Sequence, residues 1–241
     1  MRLKLLKIIK DFLLFSGLLR IFSPLNKSLV FTRNFNELHK FIGKHKRGLL
    51  INDFYTATRN YDKRYQLYQT VIDHYKLANK EIIYLEFGVA AASSFKWWLK
   101  ANTNAQSSLY GFDTFEGLPE SWGTFFKKGS MYADVPKLED KRAVFVKGIF
   151  QDTLVPFLRQ HTDELSKQKV IHLDADLFSS TIFVLSQLYP YLNKGDIIFF
   201  DEFNVANHEF FAYKVFTEAF YVKLRPIGAV NNYYQAAFIV E

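Results

Sequence analysis

Short apolar runs that close on an acid or a glycine recur along the second part of this chain. They are "IIYLEFG" (82–88), "LYGFD" (109–113), "AVFVKG" (143–148), "VIHLD" (170–174) and "DIIFFD" (196–201). Runs of this length, rich in β-branched and aromatic residues, read as strands buried on both faces. Between them lie segments with helical spacing, among them "SSFKWWLKAN", "TLVPFLRQH" and "TIFVLSQLYPYL". Strands alternating with helices predict an α/β architecture, a parallel sheet covered on both faces. A helix precedes the first strand, with a stripe at Leu67, Tyr68, Val71, Ile72, Tyr75 and Ala78.

The rhythm breaks near the end. "NHEFFAYKVFTEAF" carries a helical stripe at Phe211, Ala212, Val215, Phe216, Ala219 and Phe220. Two extended segments follow, "VKLRPIGAV" and "YYQAAFIVE", with the turn signal Asn231–Asn232 between them. The sheet is therefore expected to end in an antiparallel hairpin. One link is too long for this class. From Glu116 to Arg142 the chain runs 27 residues and includes Gly117, Pro119, Gly123, Gly129 and Pro136. A long loop at the ligand-binding edge of a sheet reads as a lid.

The front of the chain has a different character. Leu5, Ile8, Ile9, Phe12, Phe15 and Leu19 fall near helical spacing, with Lys4, Lys7 and Lys10 interleaved. The longest uncharged run there, Phe12 to Leu19, has eight residues, against about 20 for a membrane span. No small-residue cleavage site follows "GLLRIFSPL", which argues against a signal peptide. Two readings remain. The helix docks on the domain or on a second copy in a homo-oligomer, or residues 1–25 lie on an anionic membrane as a peripheral contact. Residues 27–62 read as mixed and polar. The expected division is a basic N-terminal helical or lid segment, 1–62, and an α/β domain, 63–241.

Charge supports that division. Residues 1–80 hold 16 Lys and Arg against 5 Asp and Glu, a net +11, and residues 81–241 carry −4. A nucleic-acid binder would be basic more evenly, so no nucleic-acid partner is expected. The chain has no Cys, which removes disulfides, thiolate nucleophiles and thiolate metal sites. A reducing compartment fits: cytoplasmic, with the front helix a candidate for the inner membrane surface.

The candidate chemistry lies in the acids at the strand ends: Glu86, Asp113, Asp174 and Asp201, with Asp152 shortly after the third strand. Ligands of doubly wound sheets bind outside those ends. An acid that precedes a helix also serves as an N-cap, a reading that suits Asp152 before "TLVPFL". Acids converging on one edge need compensating charge or hydrogen bonds. Asp113, ending the second strand, can hold a ribose. The turn after the first strand, Gly88-Val-Ala-Ala-Ala-Ser-Ser, has one glycine and not the G-x-G-x-x-G of a dinucleotide site. A nucleoside without a pyrophosphate, such as S-adenosylmethionine, fits better. Asp174, Asp201 and Glu202 at one corner suit a hard cation such as Mg2+. The competing reading leaves Asp176 and Glu202 solvated and the other acids as caps.

On these residues the chain resembles the class I S-adenosylmethionine-dependent methyltransferases, and within them the macrocin O-methyltransferase-like family of sugar O-methyltransferases. "YGFDTFEGLPE" carries the resemblance most specifically, with "VKGIFQDTL" and "HLDADLFSSTIFVLSQLYPYLNKGDIIFFDEF" close behind. It spans roughly 55–240. It implies a Rossmann-like methyltransferase fold: a mostly parallel seven-stranded sheet with an antiparallel C-terminal hairpin, here preceded by a helical segment. It also implies a cofactor site. Glu86 and Gly88 would lie at the methionine end and Asp113 at the ribose. Gln151 and Asp152 would lie at the adenine, with Val89, Ala90, Thr114 and Asp174 completing the set. The divalent metal falls to Asp174, Asp201 and Glu202. The chain departs from the family where Ala91 and Ala92 replace glycines, and in having Asp201-Glu202 where Asp-Asp or Asp-Asn is common.

The implied reaction is O-methylation of a hydroxyl on a sugar or a glycosylated metabolite or polysaccharide, with divalent metal assistance. Asp174 is the candidate base and His208 a rival. His172, inside a strand, reads as a satisfied core residue. Trp97 and Trp98 read as helix packing, and Trp122 and Phe125 as residues that stack on a sugar or cover the cofactor. Two alternatives stay open: a nicotinamide-dependent oxidoreductase, and a non-catalytic membrane-surface protein that keeps the fold.

Overall fold

A computed structural model describes residues 2–241. Seven strands form one sheet: β1 (Ile82–Phe87), β2 (Ser108–Asp113), β3 (Ala143–Lys147), β4 (Gln168–Leu173), β5 (Ile197–Phe200), β6 (Leu224–Val230) and β7 (Gln235–Val240). Their order is β3-β2-β1-β4-β5-β7-β6. The first five are parallel, and β7 runs antiparallel between β5 and β6. The class expected from the sequence, with its terminal hairpin, is the class observed. The order reverses direction between β1 and β4, so a crevice opens beyond their carboxyl ends.

Among the described residues seven α-helices accompany the sheet: α1 (Arg2–Ser16), α2 (Asn26–His45), α3 (Lys63–Tyr75), α4 (Ser93–Ala101), α5 (Phe150–Gln160), α6 (Phe178–Leu188) and α7 (Glu209–Phe220). Strand alternation sorts the side chains of β1 into two layers. Ile82 and Tyr84 pack with α3 and α4, around Tyr68 and Trp98. Ile83, Leu85 and Phe87 pack on the other face with α2, α5, α6 and α7. Trp98 is fully buried and stacks on Tyr84 at 5.3 Å between ring centroids, as its helical spacing predicted.

The front segment differs from the sequence reading in two respects. Residues read as mixed and polar contain the 20-residue helix α2. Its second half is part of the domain. Leu38 and Ile42 are buried, Phe41 packs on Phe203, Phe210, Tyr213 and Phe238, and Asn34 Nδ2 donates to Asn207 Oδ1 at 2.9 Å. By contrast α1 and the 3-10 helix Leu18–Leu25 bury no residue at all. Docking of the front helix on its own domain is therefore not observed. No helix among the described residues is long and apolar enough to cross a membrane.

Candidate active site

The turn after β1 is built on one close approach. Gly88 sits at φ 91°, and a Cβ there would lie 1.8 Å from the carbonyl oxygen of Asp174. Only glycine lets the ends of β1 and β4 meet this closely. Beyond it, Ala90 (φ 43°) and Ala92 (φ 60°) occupy the left-handed region that glycine prefers. Asp113, at the end of β2, fixes this turn. Its Oδ2 accepts from the Val89 and Ala90 amides at 2.7 and 2.9 Å, and its Oδ1 accepts from Phe115 N at 2.8 Å. Oδ2 is thereby filled by two donors, and Oδ1, with one, has capacity for a second. The Thr114 hydroxyl donates to Gly117 O at 2.8 Å and shapes the start of the long loop.

That loop folds back on itself. Leu118 N donates to Ser130 O at 2.8 Å, and Gly129 N to Leu118 O at 2.9 Å. Gly117, Leu118, Pro119 and Met131 thereby form one wall of a cavity of about 230 Å3. The opposite walls are Gly88 and Ala90, then Asp113 and Thr114, then Ile149, Phe150 and Gln151 at the start of α5; Asp174, Asp176 and Glu202 close the cavity. Trp122 and Phe125 do not line it. Trp122 stacks on Phe126 with centroids 5.1 Å apart, and Phe125 is 90% exposed.

The acids are more concentrated than the sequence suggested. Asp176, Asp201 and Glu202 are all buried, so the reading of solvated acids fails for Asp176 and Glu202. Asp176 and Glu202 both adopt positive φ, 59° and 58°, a costly conformation that clusters at functional sites. Burial, then the nearby Asp201 and Glu202 carboxylates, raises Asp174 well above the usual carboxylate range. Burial brings Asp176 to about 7. Burial, together with the Asp176 carboxyl beside it, brings Glu202 to about 10.

One cation among the described residues enters this cluster, the guanidinium of Arg64 from α3, 3.1 Å from Asp201 Oδ2. Asp201 Oδ1 accepts from Gln235 Nε2 at 2.6 Å and from Glu202 N at 3.1 Å. Glu202 Oε1 accepts from the Tyr234 hydroxyl, while its buried Oε2 has no hydrogen-bond partner among the described residues. Ligand atoms of Asp174, Asp176 and Glu202 lie within 4.8 Å of one another, as do those of His172, Asp174 and Asp201. An all-oxygen trio with an orphaned carboxylate oxygen and excess negative charge fits a hard divalent cation. Asp201, expected in that trio, turns its two oxygens to Arg64 and Gln235, and Asp176 stands beside Asp174 and Glu202.

Beneath the turn runs a buried polar chain. The Tyr84 hydroxyl donates to Glu86 Oε2 at 2.5 Å and lies 3.1 Å from His172 Nδ1. His172 Nε2 is 3.2 Å from the Tyr68 hydroxyl, which is 3.4 Å from Ser94 Oγ. His172 is thus a satisfied core residue, as its place in the strand predicted.

The other expected site residues divide. Gly88, Ala90, Asp113, Thr114, Gln151 and Asp174 share the cavity wall. Glu86 lies buried below it, and Val89 contributes its amide while its side chain packs inward. Asp152 is exposed on the first turn of α5, outside the lining. His208 precedes α7, and its Nδ1 accepts from Phe178 N at 3.3 Å. It too lies outside the lining, and burial lowers its pKa. Arg64, Asp176 and Tyr234 were not among the expected site residues. The D-x-D spacing of Asp174 and Asp176 was a usable signal for one of them; nothing local marks Arg64 or Tyr234.

Residues 131–235 match the family model described as macrocin-O-methyltransferase (TylF). No curated protein matches the chain in sequence. Among solved structures, the calicheamicin methyltransferase CalS11 superposes with a TM-score of 0.59 at 20% identity, covering 86% of this chain and 91% of its own. An apo structure of CalS11, described as a TDP-rhamnose 3'-O-methyltransferase, gives 0.52 at 19% identity over 86% of this chain and 93% of its own. The O-methyltransferase NovP gives 0.55 at 18% identity over 73% and 79%. The chain thus has the Rossmann-like fold of these methyltransferases, and its residues 131–235 are similar to the macrocin O-methyltransferase family. This is the family that the sequence motifs pointed to.

Proposed function

We propose that the chain transfers a methyl group from S-adenosylmethionine to a hydroxyl of a sugar or sugar-bearing small molecule, assisted by a divalent cation such as Mg2+. The observation that carries this reading is the continuity of one cavity. Its nucleoside side, Gly88, Ala90, Asp113, Thr114 and Gln151, runs directly onto the acids Asp174, Asp176 and Glu202. The match to macrocin O-methyltransferase supports a sugar acceptor, as does the likeness to a protein described as acting on TDP-rhamnose. A cytoplasmic location belongs to the same proposal.

When bound, the cofactor supplies an electrophilic methyl group, and the cation supplies a Lewis acid that lowers the pKa of the acceptor hydroxyl. The protein's own part is mainly alignment. Gly88 lets the backbone approach the ligand, and Asp113 holds the turn with Oδ2 while offering the remaining lone pair of Oδ1 to the ribose. Asp174, Asp176 and Glu202 would hold the cation. The loop wall of Leu118, Pro119 and Met131 keeps water off the reacting centre. Asp174, with part of its surface open to the cavity, accepts the hydroxyl proton. Burial and the neighbouring Asp201 and Glu202 carboxylates raise its affinity for that proton.

The test is Asp174→Ala assayed for methyl transfer to nucleotide-sugar acceptors, with cofactor binding measured in parallel. Turnover is expected to vanish while most cofactor binding remains. Full activity in the variant would remove Asp174 from the mechanism. Uptake of a nicotinamide cofactor in place of S-adenosylmethionine would favour the oxidoreductase reading.

A further inference from the structure

The most unusual surface of this molecule is at its front, far in sequence from the acids. Along α1, Leu5, Ile8, Phe12 and Phe15 are exposed by 57, 65, 60 and 92%. The apolar surface continues through Leu19, Ile21 and Phe22 of the 3-10 helix to Leu29, Val30 and Phe31 of α2, all about half exposed or more. A water-soluble face does not present ten large apolar side chains in a row without a covering partner.

The charges on the same segment say what kind of partner. Lys4, Lys7 and Lys10 recur every third residue, which at 100° per residue gathers them with Asp11 on one side of α1. Leu5, Ile8, Ile9, Phe12 and Phe15 form the adjoining apolar side, while the exposed Leu3 and Leu14 lie among the lysines. Arg2, Arg20 and Lys27 add to the basic charge, and Asp11 is the one acid within residues 2–27. Among the described residues Lys10 pairs with Asp11, at 3.5 Å and with both side chains mostly exposed, which leaves the lysine ammonium groups open to solvent. An apolar face bordered by lysines is the pattern of a helix lying in the headgroup layer of an anionic bilayer. A second copy of this chain would bring like charges together along the same face.

We propose that residues 2–31 bind the surface of an anionic lipid membrane, with α1 lying in the interface and the domain held on the aqueous side. Leu38, Phe41 and Ile42 anchor the second half of α2 in the core, so α2 runs continuously from the domain into this segment. This inference does not depend on methyl transfer. A protein without the proposed activity would bind lipid equally well.

The experiment is flotation of the full chain with phosphatidylglycerol-containing vesicles and with pure phosphatidylcholine vesicles, alongside sedimentation velocity without lipid. Two variants accompany it, Ile8→Asp/Phe12→Asp and Lys4→Glu/Lys7→Glu/Lys10→Glu. Because α1 buries nothing, both should fold, and the thermal transition of the domain verifies this. The expected result is co-flotation with the anionic vesicles, lost at high salt and reduced about tenfold or more by each variant, since each basic residue near the surface contributes appreciably. Failure to float at low salt overturns the proposal. So does a lipid-independent oligomer that Ile8→Asp/Phe12→Asp dissociates, which would assign the face to a second copy.

Discussion

The guanidinium of Arg64 and the carboxylate of Asp201 stand 3.1 Å apart, with the acid 3% exposed. The pair joins α3, which precedes the sheet, to the end of β5. It brings one positive charge into a group of at least four buried or half-buried acids. Removing one member of a buried pair leaves the other uncompensated, at a cost of about 3 kcal/mol. Arg64→Met is therefore expected to lower the unfolding free energy by about that amount in urea denaturation. Mg2+ should restore more stability to the variant than it adds to the natural chain. Equal effects of Mg2+ on both would show that cation and guanidinium do not share the same charge deficit.

Ala90 and Ala92 allow a paired test of backbone strain. Both hold left-handed φ, but Ala90 is exposed at the cavity wall and Ala92 is fully buried. A non-glycine residue there costs about 1 kcal/mol, and a buried methyl contributes about 0.8 kcal/mol. Ala90→Gly should raise the thermal midpoint, while Ala92→Gly should leave it nearly unchanged. Thermal denaturation of the two variants checks this; equal shifts would contradict it.

Tyr84 donates to Glu86 and faces His172 at the floor of the turn. In Tyr84→Phe, Glu86 Oε2 loses this donor, and His172 Nδ1 stands 3.8 Å from it, beyond hydrogen-bond distance. The loss is expected to be about 2 kcal/mol, the cost of an unsatisfied buried acceptor. Since Glu86 underlies the turn and does not touch the reacting hydroxyl, affinity for S-adenosylmethionine should weaken with little change in kcat. A fall in kcat alone would contradict this placement.

Asp53 ties the segment before α3 to the turn between β6 and β7. It accepts from Lys63 Nζ at 2.7 Å and from Asn232 N at 3.3 Å. Burial works to raise its pKa, but the Lys63 ammonium and the Asn231 and Asn232 amides outweigh this and lower it. A depressed pKa adds stability above the unfolded value, about 4, and that stability is lost as pH falls through the folded value. Asp53→Asn should flatten this acid limb of stability against pH in urea titrations, and an unchanged limb would rule the contact out as its source.

The strand pattern was legible because each strand is short, apolar and closed by a turn or an acid. Strand ends observed at Phe87, Asp113, Lys147, Leu173 and Phe200 fall within a residue of those read from the sequence. The hairpin followed from Asn231–Asn232 in the same way. Helix α2 was not legible. Its buried face is Asn34, Leu38 and Ile42, a stripe that includes an asparagine, and Leu29, Val30, Phe31 and Phe35 point to solvent. In the site, local motifs located Gly88, Asp113 and Asp174. They could not show that Arg64 crosses to Asp201 or that Tyr234 reaches Glu202. Those contacts join residues 137 and 32 positions apart, and tertiary packing alone brings them together.

The central claim is that the cavity beyond β1, β2 and β4 holds a sulfonium nucleoside next to a cation-binding acid cluster. Isothermal titration of the full chain with S-adenosylmethionine, with and without Mg2+, tests it most directly. The account predicts one binding site per chain, and heat from Mg2+ that disappears when Asp176 and Glu202 are replaced by Asn and Gln. No uptake of S-adenosylmethionine under either condition would contradict it.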